Sequence, residues 1–570
     1  ITVKKISENK PEIFFLISTL ISPPLQNGKR KLSAAMSARM KMTFLQHAQC
    51  CKINFADTKM NAAMQKGLKV PALFQRHSDH FCWNCRSYHN SHEQPKERRK
   101  IMLKSRFVKQ CFFAASLFGA AAFGGEKSEL AIAPFKADIT PPMGAPLVGG
   151  LNDPTSSVEH PIYAKGFVLR DADKTVAFVA FDYTGLCNRS YSEMKNTIAE
   201  AIGTDPDHVA VVSLHLHTAP GPDTDTQLVI DQLNDPTMVQ CTDLKDFESV
   251  KTKVAQAAAA SLEKLQPVTA IGNAMYPVDR VASNRLMVSP LGGEAGTRWS
   301  SCVDEEYYAA PEGLIDGFLR SLTFYNDDQP LLTVHFYATH PQSFYGDGRI
   351  TYDVPGIARE ALEEETGVFQ IYCNGGGGNI AMGKYNRGTP ADRAALADRI
   401  LHAMKMAKTK ERKEPVSSFD WAVEKMIITQ RTEPEWQDDF NRARLVDKSK
   451  EGWERLMGAM VLALNERLRN NPEFELNALA IGSARILTFP GEPFVEYQLA
   501  AQKFALPNIM YFSGYNDFAL QYVPTKEAFS AGGYEPTWSF TPENEALFMQ
   551  SIQNVLAKLE QQNATERDRE

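Results

Sequence analysis

The sequence predicts an α/β fold: a layered, mixed β-sheet core flanked by helices, forming a single large catalytic domain. Three observations carry that prediction. Short apolar runs such as Thr175–Asp182 (TVAFVAFD) have the length of buried strands. They alternate with segments of helical period, the order expected of layered α/β proteins. After residue 126 no Gly/Ser-rich or Pro-rich linker divides the chain, and no repeat is visible in it.

The elements follow in order. An amphipathic helix is expected over Ser190–Ile202, and a strand over His208–His215. Val250–Leu265 is an Ala-rich helix. A strand at Leu331–His340, a helix at Val354–Glu365 and a strand at Val368–Cys373 come next. Helices at Thr389–Ala407 and over much of Glu433–Arg469 precede a strand pair within Leu476–Phe489 and a helix at Pro493–Phe504.

The composition, 43% hydrophobic and 23% charged over 570 residues, is that of a water-soluble globular protein. A formal net charge of −6 excludes the dominant basic surface of a general nucleic-acid binder. No run of 18 apolar residues occurs, so no membrane-spanning helix is expected.

Residues 1–101 carry scattered basic side chains and little periodicity, and read as a non-native or disordered extension. Cys82, Cys85, His77, His80, His89 and His92 gather there. They lack the two ligand pairs around a folded core that a zinc finger needs. From Met102 the pattern changes. Lys104, Arg106 and Lys109 precede a 13-residue apolar and small stretch, Cys111–Phe123, that holds Ala120-Ala121-Ala122. That is the layout of a secretory signal peptide over 102–125, so export to the periplasm or beyond is expected. The domain at 126–570 retains Cys187, Cys241, Cys302 and Cys373, and one or two disulfides are open to it in an oxidising compartment.

The chemistry-bearing residues sit where strands end. The turns HLHTAPGPD, THPQSFYGDG, CNGGGGN and FPGEPF each close an apolar run. In α/β proteins ligands gather at the carboxyl ends of strands. His215 and His217, two apart in an extended segment, would share a face and could approach one site. A hydrogen-bonded structural pair would show the same spacing. His340 ends its strand before Pro341, while His335 faces the other way and reads as structural. Glu492 is fixed between Gly491 and Pro493, where it can ligate or cap the next helix. Tyr522 and Tyr534 lie in turns, where tyrosines pack or ligate. Gly378–Lys384 has the G-x4-G-K spacing of a phosphate loop, but Tyr385 stands where Ser or Thr belongs. The glycines instead suit a turn whose amides approach a ligand closely, as for an oxyanion.

Six segments, in order, resemble the neutral/alkaline, non-lysosomal ceramidase family. Ala137-Asp-Ile-Thr-Pro-Pro142 resembles its entry strand, and LHLHTAPGP its T-H-T-H-S-G-P motif. Asn284-Arg285 is similar to its N-R element, and Tyr337-Ala-Thr-His-Pro-Gln-Ser343 to its F-A-V-H-P-T-S. Pro490-Gly-Glu492 matches its P-G-E, and Tyr522 through Tyr534-Glu535 its closing Y-V-T-T…Y-E segment. The resemblance implies an exported hydrolase whose zinc ion is bound by His215, His340, Glu492 and Tyr522. His217, Arg285 and Tyr534 would then act on the scissile carbonyl and its oxyanion. It further implies a small-molecule amide or ester substrate, of lipid type, with peripheral membrane contact. The likeness is to the catalytic domain: the 36 residues after Tyr534 are too few for the immunoglobulin-like domain of such ceramidases. One departure bears on substrate. The family's G-D-x-S-P-N element reads Gly378-Asn-Ile-Ala-Met-Gly383, so Ala381 replaces the serine and Asn379 the acidic residue. An ester or acylated-sugar hydrolase, or a ligand-binding protein on the same fold, stays open beside an N-acyl amidase.

Overall fold

The computed structural model describes residues 130–288, 294–344 and 346–567, all within one unit, Gly124–Glu570. The extension at 1–101 and the expected signal peptide at 102–125 lie outside the described residues.

Three larger sheets are each assembled the same way. The first holds β1 (Ala131–Asp138), β2 (Tyr163–Arg170), β3 (Thr175–Phe181) and β4 (Val209–Ser213), in spatial order β4-β3-β2-β1. The second holds β5 (Ala270–Pro277), β6 (Phe318–Asn326), β7 (Gln329–Tyr337) and β8 (Phe369–Asn374), in order β8-β7-β6-β5. The third holds β9 (Asp420–Ile427), β10 (Glu473–Ile481), β11 (Ala484–Thr488) and β12 (Ile509–Ser513), in order β9-β10-β11-β12. A short edge strand, Gln266–Pro267 or Arg412–Pro415, extends each of the first two.

In each sheet the early strands pair antiparallel and the last pair is parallel. A parallel pair needs a crossover, and here each crossover is a helix. These are α1 (Asn188–Ile202) between β3 and β4, α3 (Asp353–Thr366) between β7 and β8, and α6 (Val495–Phe504) between β11 and β12. The remaining long helices are α2 (Leu244–Ser261), α4 (Pro390–Lys408), α5 (Gly452–Asn470) and α7 (Glu545–Arg567). The architecture is the expected mixed α/β one. A ββαβ unit recurs three times in topology, although no repeat is visible in the sequence.

Local chemistry sets the boundaries. Asp243 caps α2, and Thr389 caps α4 with Pro390 in its first turn. α1 and α3 stop at Gly203 and Gly367, both left-handed. The first two sheets share one apolar core, with Phe167 stacked on Phe178 and tilted against Phe324. A second core joins the third sheet to α6 and α7 through Phe489, Tyr497, Phe512 and Phe548. Each such ring, fully buried, contributes about 1.5–3 kcal/mol. Cys187, Cys241 and Cys373 are buried thiols, and the four cysteines of the expected domain form no disulfide among the described residues. No helix among the described residues is long and apolar enough to cross a membrane.

Candidate metal centre

The loops that leave the carboxyl ends of the parallel strands converge. Strand β4 leads to His215 and His217, β7 to His340, β8 to the glycine run, β11 to Glu492 and β12 to Tyr515 and Tyr522. Backbone bonds stitch them together. Ser213 N donates to Tyr515 O at 2.9 Å, His340 N to Ile380 O at 2.9 Å, and Gly378 N to Pro493 O at 2.9 Å. Two short strand pairs complete the frame. Glu492–Pro493 runs beside Tyr522–Val523, with Glu492 opposite Tyr522. Ser283–Asn284 pairs with Ile380–Ala381, and His340 bridges to Ala381. Arg285, next in sequence, donates its N–H to Asn379 O at 2.7 Å. Residues far apart in the chain are thereby placed by backbone pairing.

Two imidazoles face each other at the centre. His215 Nε2 lies 3.0 Å from His340 Nε2 and 3.2 Å from His217 Nε2. One nitrogen from each of the three rings lies within 4.8 Å of the other two. His215 Nδ1 is 2.9 Å from Thr184 O, and His340 Nδ1 is 2.9 Å from Gly377 O. A carbonyl can only accept, so both Nδ1 atoms carry the proton and both Nε2 atoms present lone pairs. Glu492 Oε2 points between them, 3.2 Å from His215 Nε2 and 3.4 Å from His340 Nε2. That oxygen is buried and has no hydrogen-bond partner among the described residues.

Three acceptors aimed at one another in a buried space repel unless a proton or a metal ion lies among them. The edges of 3.0–3.4 Å match the ~3.3 Å edge of a tetrahedral site with ~2.05 Å metal–nitrogen bonds. The donor set, two neutral imidazoles and a carboxylate, is that of an open catalytic zinc site. The residues fit the metal.

Tyr522 borders this group, its ring stacked 6.2 Å from that of His340. Arg285 Nη1 donates to the Tyr522 hydroxyl at 2.9 Å, and Arg285 Nε lies 3.4 Å from Glu535 Oε1. The guanidinium carbon also sits 5.2 Å from the Tyr534 ring centre, 5.3 Å from Trp299 and 5.7 Å from Tyr522. Burial opposes its charge, but Tyr522 and Glu535 outweigh this and hold it firmly protonated. Burial, with His215 and Arg285 close by, keeps His217 well below the ordinary imidazole range, so it is neutral at pH 7. Burial pushes the Tyr522 phenol well above its usual range.

All seven residues singled out in the sequence thus lie in one neighbourhood. The route differs from expectation. β4 ends at Ser213, and His215 has a left-handed backbone, φ 64°. His215 and His217 converge through a turn that Thr184 pins with its hydroxyl bonds to Leu216 O and Ala219 O, not through strand alternation. The glycine run is likewise not an oxyanion turn. Gly375, Gly376 and Gly378 donate their amides to Tyr337 O, Gln498 Oε1 and Pro493 O. A Cβ at Gly378 would lie 2.4 Å from Glu492 O, so the glycine there lets the Glu492 turn close onto the loop. Asn379, in place of the acidic residue, bonds the first turn of α6 through Val495 N at 2.9 Å. Sequence reasoning missed Thr184, Trp299, Tyr515 and Phe518. None stands in a motif with its own chemistry.

No family model and no curated protein matches the chain by sequence. Solved structures do match it. The crystal structure of neutral ceramidase from Pseudomonas aeruginosa matches with a TM-score of 0.58 and 16% identity, over 77% of this chain and 75% of that one. A ceramidase complexed with C2 matches with a TM-score of 0.57 and 17% identity, over 76% of each chain. The chain has the neutral ceramidase fold. Within that fold Ala381 is buried and offers no hydroxyl beside His340.

Proposed function

We propose that the domain at 126–570 is a zinc-dependent hydrolase that cleaves an amide, N-acyl bond. The facing Nε2 atoms of His215 and His340, with the unpartnered Glu492 oxygen between them, are the observation that carries this reading. His215, His340, Glu492 and Tyr522 would hold the ion. Zinc, when bound, acidifies water and polarises a carbonyl.

The protein's own groups do the rest. Neutral His217 accepts the proton of the attacking water as its oxygen bonds to the acyl carbon. The carbon–nitrogen bond then breaks, and His217 returns the proton to the leaving nitrogen. Carboxylic acid and amine are the products. Arg285 and Tyr534 stabilise the oxyanion formed on the way, in a site shielded enough to make such contacts strong. The substrate is a small molecule of the acyl-lipid class, met through peripheral contact with a membrane. The leader expected at 102–125 would export the enzyme.

A second reading has its own support. Ala381 removes the serine hydroxyl, so an ester or acylated-sugar substrate on the same metal chemistry stands beside a ceramide-like one. Hydrolysis of a short-chain N-acylsphingosine, a matched acyl ester and an N-acetylated sugar, with chelator and after zinc return, separates the two. Chelator-sensitive amide cleavage is expected. Chelator-insensitive turnover, or none of any substrate by the zinc-loaded chain, contradicts the proposal.

A further inference from the structure

Tyr515 touches the surroundings of both central histidines. It is wholly buried in the loop after β12. Its backbone is left-handed, φ 62°, a region that bulky residues avoid. Such strain persists where the surrounding structure imposes it, often at functional sites. Here two backbone bonds impose it. Ser213 N donates to Tyr515 O at 2.9 Å, tying the residue to the end of β4, two positions before His215. Tyr515 N donates to Gly491 O at 3.0 Å, tying it to the residue before Glu492.

This position aims the side chain. The ring stacks flat on the His215 imidazole, with centroids 4.6 Å apart and planes 17° apart. Phe518 also flanks that imidazole, at 5.0 Å and a tilt of 44°. The far end of the tyrosine reaches Gly377, where a Cβ would lie 2.8 Å from the phenolic oxygen. Gly377 supplies the carbonyl that takes the His340 Nδ1 proton. One side chain therefore bears on the ring of His215 and on the backbone that orients His340.

We infer that Tyr515 is a positioning residue for the metal site, setting the orientation of both imidazole ligands. The inference rests on the metal reading above. It assigns Tyr515 no contact with substrate and no proton transfer. It predicts that loss of the ring loosens the ligand geometry while the fold persists, because the same backbone bonds remain.

The test is metal affinity, read by competition with a chromophoric chelator, together with the visible spectrum of the Co²⁺-loaded protein. Tyr515→Asn removes the ring but tolerates the left-handed backbone. It is expected to bind Zn²⁺ ~10–100-fold more weakly, the range for loss of a group that orients a ligand. Its Co²⁺ bands should shift, with urea unfolding still cooperative. Tyr515→Phe keeps the stacked ring and should restore affinity to within about threefold of the parent, above the ~10-fold lower limit for a lost orienting group. Parent affinity and parent spectrum in a folded Tyr515→Asn overturn the inference while leaving the metal reading intact. No Zn²⁺ binding by the parent overturns both. If Tyr515→Asn does not fold, the crystal structure of the zinc-loaded parent decides. His215 must ligate while stacked on Tyr515, and a ligating His215 turned off that ring overturns the inference.

Discussion

His335 and His340 lie five residues apart on the same stretch of chain, are both buried, and have opposite characters. His335 is inside β7. Its Nδ1 meets Ser321 Oγ at 2.8 Å and its Nε2 meets Gln370 Oε1 at 2.8 Å. The amide oxygen can only accept and the hydroxyl can donate, so a neutral imidazole there is fully satisfied. His340 lies past the end of β7. One of its nitrogens is satisfied by Gly377 O, and the other faces an imidazole lone pair and a carboxylate. The interior of the sheet completes its histidine. The rim leaves the second nitrogen of its histidine against two other acceptors, an arrangement that could hold a metal ion. Burial and residue type are shared, so the bonding of the second nitrogen is what separates the structural histidine from the candidate ligand.

Four experiments press on that contrast, from the largest expected effect down. His340→Ala should abolish zinc binding and turnover together, a loss beyond the ~100-fold that an outer group costs. Titration with zinc and a steady-state assay measure both. His217→Ala should leave the ion in place and reduce kcat by ~10²–10⁴, the usual worth of a general acid–base group. If zinc is lost as well, His217 belongs to the ligand set rather than to proton transfer.

His335 supplies the third. Burial holds its pKa down to about 4, against 6.5 for the free imidazole. Between those values the unfolded chain takes up a proton that the folded chain refuses. The stabilisation is full above about pH 6.5 and shrinks as pH falls toward 4, by at most about 3 kcal/mol. Urea unfolding at pH 7 and pH 4.5 should show that loss, and His335→Leu should remove His335's share of it, leaving the part due to His217 and His340. The smallest effect tests the carboxylate. In the metal-free protein Glu492→Gln removes a buried charge and supplies an N–H to the imidazole lone pairs. That should raise stability by about 1–3 kcal/mol, the cost of an unsatisfied buried group, while zinc binding is lost. Destabilisation of the metal-free form would show that Glu492 is satisfied without an ion.

The outline of this site is legible in the sequence because strand ends leave marks. Apolar runs that stop at HLHTAPGP, THPQS and FPGEPF place His215, His340 and Glu492 where ligands gather in α/β folds. The supporting groups leave no such marks. Thr184 O and Gly377 O act through carbonyls, which every residue has. Tyr515 reaches its place through a left-handed backbone that propensity disfavours for a tyrosine. The same kind of backbone at His215 explains why strand alternation describes the wrong path to the right convergence. The glycine run illustrates a different limit. Its composition fits a ligand-binding turn, but its amides are spent on Tyr337, Gln498 and Pro493, and its missing side chains let the Glu492 turn close. The threefold ββαβ topology is invisible because its three copies share pairing and not side chains.

The most direct test of the account is the zinc content of the chain from residue 126 onward, beside its His340→Ala and His335→Gln variants. The account predicts about one zinc per chain in the parent and in His335→Gln, and none in His340→Ala. A parent that takes up no zinc after reconstitution, or a His340→Ala variant that keeps it, would contradict the claim that this rim of histidine and glutamate is a metal centre.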